Sequence, residues 1–147
     1  MNNWKKGHVN PWWNKEYQHL EYKYHAMKNT QDVNRWIAQG YHNVMLNGGH
    51  YGYPKPMPDF VEKFKNLHED WLDIGIALYK MKTLDMLPLH RDHYSTYIKN
   101  FDIIDNSKIR RCVVFLEDWK SGHYSEVDGT PVVGWKAGDW ISWNNDV

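Results

Sequence analysis

Ile-Arg-Arg-Cys-Val-Val-Phe-Leu at positions 109–116 and Trp-Ile-Ser-Trp at positions 140–143 are short apolar runs of the kind that forms β-strands. Similar runs cover positions 74–81 and 86–89. Turn signals separate these runs, and Asp128-Gly129 and Ala137-Gly138-Asp139 are examples. We therefore predict antiparallel β-structure from position 74 onward.

Helical periodicity marks the first half of the chain instead. Pro11 fits the first position of a helix behind Asn10, and apolar residues then recur at alternating spacings of four and three. These residues are Trp13, Tyr17, Leu20, Tyr24 and Met27. A second helix is predicted from Thr30 to a stop at Gly40, and a third over positions 60–67. Between them, Asn47-Gly48-Gly49 indicates a loop.

Helices followed by a row of short strands indicate one α+β domain over residues 1–147. We predict that its helical part covers 1–72 and its β part covers 73–147. At 147 residues and 17.7 kDa, the chain is long enough for roughly one hydrophobic core.

Charge and composition exclude several classes of protein. Eighteen basic residues balance 18 acidic ones, so no broad positive field is available for phosphate backbones, and we expect no nucleic-acid partner. No signal peptide or membrane-spanning run is visible, which predicts a cytoplasmic protein without a membrane partner. The single cysteine, Cys112, lies in an apolar run and is interpreted as a buried hydrophobic residue.

Two His-x-Asp sequences occur, and only one has the geometry of a metal site. His68-Glu69-Asp70 continues the third helix, where residues two apart point to different sides of the axis. His90-Arg91-Asp92 ends the extended segment 86–89, and in a strand residues i and i+2 project to the same face. An imidazole and a carboxylate on one face match two ligands of the two-His, one-carboxylate triad of non-haem iron. Downstream, only His93 and His123 remain as a third ligand, and neither is well placed.

Four longer runs carry a resemblance to a known family. They are Tyr79-Lys80-Met81, Leu-Pro-Leu-His-Arg-Asp-His at 87–93, Val-Phe-Leu-Glu-Asp-Trp-Lys-Ser-Gly-His at 114–123 and Trp-Lys-Ala-Gly-Asp-Trp-Ile-Ser-Trp-Asn-Asn-Asp at 135–146. Together they resemble small, largely phage-borne, iron(II)- and 2-oxoglutarate-dependent oxygenases related to the prolyl and aspartyl/asparaginyl hydroxylases. The likeness covers residues 57–147, in the family's order and approximate spacing.

The resemblance implies a double-stranded β-helix, a jelly-roll or cupin-like fold, in which His90 and Asp92 bind Fe(II) and 2-oxoglutarate is the co-substrate. In the family, the Gly-Asp-Trp strand leads into Pro-His, which brings the distal histidine, and further strands follow. This chain stops at Val147, so we expect a C-terminally incomplete domain that is inactive alone. By the same resemblance, Arg111 matches a sheet arginine that holds the co-substrate, and Tyr79 and Tyr97 are candidates to donate a hydroxyl to its carboxylate.

Alternatives to a complete oxygenase remain open. One is a jelly-roll binding module without catalysis, whose tryptophans stack on sugars; exposed, coplanar rings at Trp135, Trp140 and Trp143 would favour it. Another is one part of a split oxygenase whose partner supplies the missing strands. The expected substrate is a peptide or small molecule. Because missing strands would leave an open sheet edge beside residues 140–143, we also expect a homodimer.

Overall fold

The computed structural model describes residues 3–26, 30–41 and 48–145, which form a mixture of helices and antiparallel strands. The chain divides into two compact units. Unit 1 consists of Met1–Trp12 and Arg91–Val147, and unit 2 is Trp13–His90, inserted between those two segments. In chain order the elements are β1 (Trp4–His8), β2 (Lys23–Ala26), α1 (Thr30–Ala38), β3 (Gly48–Gly52), α2 (Asp59–Glu62), β4 (Leu78–Lys80), α3 (Ser95–Phe101), β5 (Arg110–Val114), β6 (Ser125–Val127), β7 (Thr130–Val132) and β8 (Asp139–Asn144).

Unit 1 is built on an antiparallel sheet with the order β1-β8-β5. In its register, Trp143 of β8 lies between Trp4 of β1 and Arg111 of β5. Ile141, one of the most buried side chains of the unit, lies two residues earlier on the same face of β8. Apolar burial at the centre of β8 therefore fixes the register, because a slip by one residue would turn Ile141 to the opposite face.

Strands β6 and β7 form a hairpin whose turn was correctly predicted. Asp128 and Gly129 connect them and have φ values of 50° and 71°. Two successive positive φ values are typical of the type I′ turn, which Asp-Gly favours and which matches the twist of the strands.

Unit 2 contains the second sheet, with the order β2-β3-β4. Its buried apolar residues are Trp13, Trp36, Phe60, Val61 and Leu78. Trp13 also packs on the ring of Phe64, with centroids 5.2 Å apart. The aromatic residues of the first half thus supply much of the core of this unit.

The predicted helix over 11–27 is wrong for the residues that the structure describes. A single 3-10 turn, Glu16–His19, is followed by strand β2, and Met27 lies outside the described residues. The hydroxyl of Tyr22 donates to the carbonyl of Tyr17 at 2.7 Å, which fastens the non-helical path. Trp and Tyr are weak helix formers and strong strand formers, so pairing with β3 outweighs their apparent helical spacing.

Other boundaries also differ from the prediction. The second helix is confirmed as α1, whereas the third is short, with α2 passing into the 3-10 turn Lys63–Asn66. Gly48 and Gly49 lie in β3 rather than in a loop, while Asn47 lies outside the described residues. Segment 86–89 forms no strand; Pro88 within it lacks the N–H that a ladder needs. A helical part covering 1–72 is therefore incorrect, since β1, β2 and β3 fall within it.

The prediction that β8 has an open edge is also wrong. β8 is the central strand, because β1 covers the side away from β5. The α+β class is confirmed, and the described residues form three small antiparallel sheets without a barrel. No helix among the described residues is long and apolar enough to cross a membrane.

Candidate active site

The centre of the candidate site in unit 1 is an ion pair between Asp92 and Arg111. Nη1 of Arg111 donates to Oδ2 of Asp92 at 2.5 Å. Asp92 lies in the extended segment before α3, and its side chain is 23% exposed, against 43% for Arg111. The ion pair is therefore partly shielded from solvent, and the carboxylate of Asp92 is less exposed than the guanidinium of Arg111.

Tyr94 belongs to the same cluster, although the sequence did not single it out. Burial raises the pKa of its phenol, and the negative charge of Asp92 raises it further. Arg111 and a hydrogen bond with Trp143 act in the opposite direction without cancelling the increase. Tyr94 has a φ of 53°, and its carbonyl accepts from the N–H of Ile98, which starts α3. Strand alternation gave no valid signal for position 94, because the residues from 86 to 94 form no strand and Tyr94 has a positive φ.

The row of the sheet that carries Arg111 continues through Trp143 to Trp4. Directly paired residues of an antiparallel sheet project to the same face, so these three side chains share one side. Nε1 of Trp4 is buried and has no hydrogen-bond partner. A buried N–H without an acceptor destabilises the fold by about 1–3 kcal/mol. This row therefore combines a cation with an indole donor that lacks an acceptor.

His90 is the last residue of unit 2, so the boundary between the units falls within the His-x-Asp sequence. Its Nδ1 lies 2.7 Å from the carbonyl oxygen of Pro88. A carbonyl can only accept, so Nδ1 carries the proton, and in the neutral ring the lone pair is on Nε2. Metal-binding histidines commonly have this arrangement, in which the second nitrogen donates to a backbone carbonyl.

The two predicted tyrosines lie in different units. Tyr79 is in β4 of unit 2, where its ring packs on Tyr51 at 4.8 Å. Tyr97 is in α3 of unit 1 and packs on Phe101 at 4.9 Å. Within unit 1, the electrostatic partners of Tyr94 include Asp92 and Arg111.

The tryptophans proposed as a sugar platform do not form one surface. Trp140 and Trp143 are three residues apart in β8, so they project to opposite faces of the sheet. Trp140 packs over Gly7, its cross-strand partner, where a Cβ would collide with the indole. Trp135 stacks on Phe115 with centroids 4.1 Å apart and planes inclined by 12°. All three tryptophans are half-buried, and Trp140 and Trp135 have these packing roles.

Cys112 is less reactive than an ordinary thiol. Burial raises its pKa to about 12. The interpretation of this residue as a buried hydrophobic side chain agrees with that environment.

Among residues 3–26, 30–41 and 48–145, no group of three or more His, Cys, Asp or Glu side chains is arranged to hold a metal ion. His93 and His123 are both exposed, and the ring of His123 faces that of Trp135 with centroids 6.3 Å apart. Comparison of the chain with protein-family models, with curated proteins and with solved structures gives no match.

Proposed function

We propose that this chain is the core of an iron(II)- and 2-oxoglutarate-dependent oxygenase on a jelly-roll plan and that it is inactive without a further iron ligand. In this proposal His90 and Asp92 are two of the three protein ligands, and Arg111 binds the co-substrate. The observation that supports it most is the pairing of Asp92 with Arg111 in unit 1. The resemblance assigns these same two residues, which are 19 positions apart, the roles of iron ligand and co-substrate anchor.

The side chains of His90 and Asp92 are two suitable ligands for iron. A neutral imidazole with its proton on Nδ1 offers Nε2, and a carboxylate offers oxygen, which is the ligand chemistry of non-haem Fe(II). The peptide chain itself keeps Cα atoms two residues apart within about 7 Å. Two protein ligands bind a divalent ion weakly and leave coordination positions open. A third protein ligand must therefore come from a residue other than His90, Asp92 and their neighbours Tyr94 and Arg111. Bound Fe(II) with 2-oxoglutarate would supply oxidation of a substrate C–H bond by O2.

The residues around Arg111 suit a small dicarboxylate. A guanidinium can hold a carboxylate through two parallel hydrogen bonds. The indole of Trp4 lies on the same row, two strands from Arg111, and its buried N–H has no hydrogen-bond partner. The phenol of Tyr94, protonated at neutral pH like an ordinary tyrosine, can also donate a hydrogen bond.

The ion pair between Asp92 and Arg111 predicts that one substitution raises the affinity for metal and lowers the affinity for 2-oxoglutarate. Arg111 and a metal ion both compensate the charge of Asp92, so they compete for the carboxylate. Arg111→Ala should therefore tighten binding of Mn(II), used as a probe for Fe(II), by about two- to five-fold, the range of a partly exposed ion pair. The same variant should weaken 2-oxoglutarate binding to the Mn(II)-loaded chain about ten-fold or more. Isothermal titration measures both affinities.

Arg110→Ala is the matched control, because Arg110 is the preceding residue of β5 and projects to the other face. It should alter neither affinity. Asp92→Ala should remove metal binding while leaving secondary structure intact. If Arg111→Ala weakens metal binding, or leaves 2-oxoglutarate affinity unchanged, Arg111 serves Asp92 only as a structural partner and the proposal fails.

Turnover tests the claim that the chain is inactive alone. The chain should produce no succinate from 2-oxoglutarate above background when Fe(II) and O2 are supplied. A partner chain or added segment that supplies a histidine should restore turnover, as expected of a truncated or split oxygenase. Turnover by the chain alone that disappears in Asp92→Ala would show that the ligand set is already complete.

A further inference from the structure

The sheet of unit 2 has an unusual composition. Strands β2, β3 and β4 contain no Asp or Glu, although the chain as a whole has 18 acidic residues. They contain two lysines, two histidines and three tyrosines. Local charge on this sheet is therefore positive or neutral, even though the whole chain is balanced.

One face of this sheet carries a group of aromatic rings that we call the tyrosine face. The register places Tyr51 of β3 between Lys23 of β2 and Tyr79 of β4, so all three project to one side. Tyr53, two residues after Tyr51, continues the same side. On the opposite face Leu78 is 6% exposed, whereas Tyr24 is 51% exposed.

The rings lie across the sheet and remain accessible. Tyr51 and Tyr53 are nearly parallel, with an interplanar angle of 12° and centroids 6.3 Å apart. Tyr53 is 56% exposed and Tyr79 is 39% exposed. Gly49 makes this arrangement possible, because a Cβ there would lie 2.7 Å from the ring of Tyr79. An exposed group of large rings on the outer face of a sheet, where small polar residues are usual, is typical of a binding surface.

The positive charge beside the tyrosine face favours a ligand that carries negative charge. Lys23 flanks the rings on the same row, and His25 packs edge-on against Tyr51 at 5.5 Å. Glu21, just before β2, lies 3.9 Å from the Lys23 ammonium, but both side chains are more than 70% exposed, so the pair is weak. A cation beside stacked aromatic rings suits a ligand with planar rings and a negatively charged backbone.

We propose that the tyrosine face binds single-stranded nucleic acid, with bases stacked on Tyr53 and Tyr79 and a phosphate at Lys23. The proposal stands independently of the oxygenase chemistry, because it uses only unit 2. Single strands fit and duplexes do not, since stacking on a flat sheet requires bases that are not already paired. The charge balance of the whole chain, which argued against nucleic acid, averages over regions that this face does not include.

Fluorescence anisotropy of labelled oligothymidylate and oligouridylate at low salt tests the proposal on the full chain. Both should bind, and their relative affinity decides between DNA and RNA; a duplex of mixed sequence should bind much more weakly. Tyr53→Ala and Tyr79→Ala should each weaken binding about ten-fold, whereas Tyr79→Phe keeps the ring and should have little effect. Lys23→Gln should lower the slope of log affinity against log salt by about 0.7.

Tyr124→Ala is the control, because Tyr124 is 60% exposed but belongs to unit 1. It should bind like the unchanged chain. Tyr53 lies beyond the end of β3, so its variant keeps the sheet residues and tests the surface even if Tyr79→Ala unfolds. The proposal is overturned if neither oligonucleotide binds, if the duplex binds equally well, or if Tyr53→Ala binds like the unchanged chain. Displacement of the oligonucleotide by a neutral oligosaccharide would also overturn it, in favour of a sugar site.

Discussion

Gly138 provides a direct test of how β1 joins the sheet of unit 1. Gly138 has a φ of 93°, and a Cβ there would lie closer than 3.0 Å to the carbonyl oxygen of Val9, which follows β1. The N–H of Gly138 donates to the carbonyl of Phe115 at 2.8 Å, and the carbonyl of Gly138 accepts from the N–H of Val9 at 3.0 Å. Gly138→Ala therefore adds left-handed strain and also pushes the end of β1 away from the turn before β8.

The expected loss of stability in Gly138→Ala is estimated by comparison with Gly122, which has a similar φ. Gly122 has a φ of 94°, and a Cβ there would meet nothing within 4 Å, so Gly122→Ala measures strain alone, about 1–2 kcal/mol. Gly138→Ala adds the disturbance of two backbone hydrogen bonds at about 1 kcal/mol each. We expect its free energy of unfolding to fall by about 2 kcal/mol more than that of the Gly122 variant.

Urea unfolding followed by tryptophan fluorescence gives both values, and the m-value should be the same for the two variants. Limited proteolysis adds a local readout, because a displaced β1 should be cleaved within residues 1–12 faster in the Gly138 variant. Equal losses of stability in the two variants would refute the placement of Val9 against this turn, and with it the pairing of β1 beside β8 in solution.

Three further outcomes are expected. Although burial raises the pKa of Asp139, hydrogen bonds from the Lys136 N–H and from His8 at 2.7 Å outweigh it and hold that pKa below its usual 3.8. Its stabilisation is present above pH 3.8 and lost as the pH falls through the lowered pKa, so Asp139→Asn should reduce the free energy of unfolding at pH 6, and the difference from the unchanged chain should shrink as the pH is lowered below 3.8. Cys112, which is half-buried and has a pKa raised to about 12, should react with a disulfide reagent at pH 8 more slowly in the folded chain than after unfolding; equal rates would contradict its shielding. The chain should form a homodimer, in light scattering at high concentration, through the outer edge of β1 or β5, and a monomer at all concentrations would exclude it.

Sequence alone predicted the elements whose signals are local. Asp128-Gly129 is sufficient for a hairpin because both positions of its turn require positive φ, and the Val-Val and Trp-Ile-Ser-Trp runs have strand propensity of their own. β1 was missed because Trp-Lys-Lys-Gly-His has no such signal and becomes a strand only by pairing with β8, more than 130 residues later. The helix over 11–27 was wrong for a related reason, since β2 depends on its partner β3.

In the candidate site, too, the residues predicted from the sequence differ from those that depend on distant strand pairing. Asp92 was chosen from the His-x-Asp spacing and the resemblance, Arg111 was chosen from the resemblance alone, and their hydrogen bond joins residues 19 apart in sequence. Tyr94 was missed because its segment forms no strand, so alternation does not apply to it. Trp4 could not be found, because its place on the row of Arg111 depends on the pairing of β1 with β8. Tyr79 was chosen for its hydroxyl, whereas the structure places its ring over Gly49 on an exposed sheet face.

In the proposed oxygenase, the position of β1 would restrict where a third iron ligand can come from. By the resemblance, the distal histidine follows the Gly-Asp-Trp strand after a short turn, and a hairpin there would pair its strand with the Gly-Asp-Trp strand. In this structure the Gly-Asp-Trp strand is β8, and both of its edges are already paired, with β1 on one side and β5 on the other. A ligand-bearing strand, whether from a partner or from the same chain, would have to displace β1 and the side chain of Trp4 with it. A ligand delivered by a loop needs no such exchange, so it is the route that leaves the sheet of unit 1 intact.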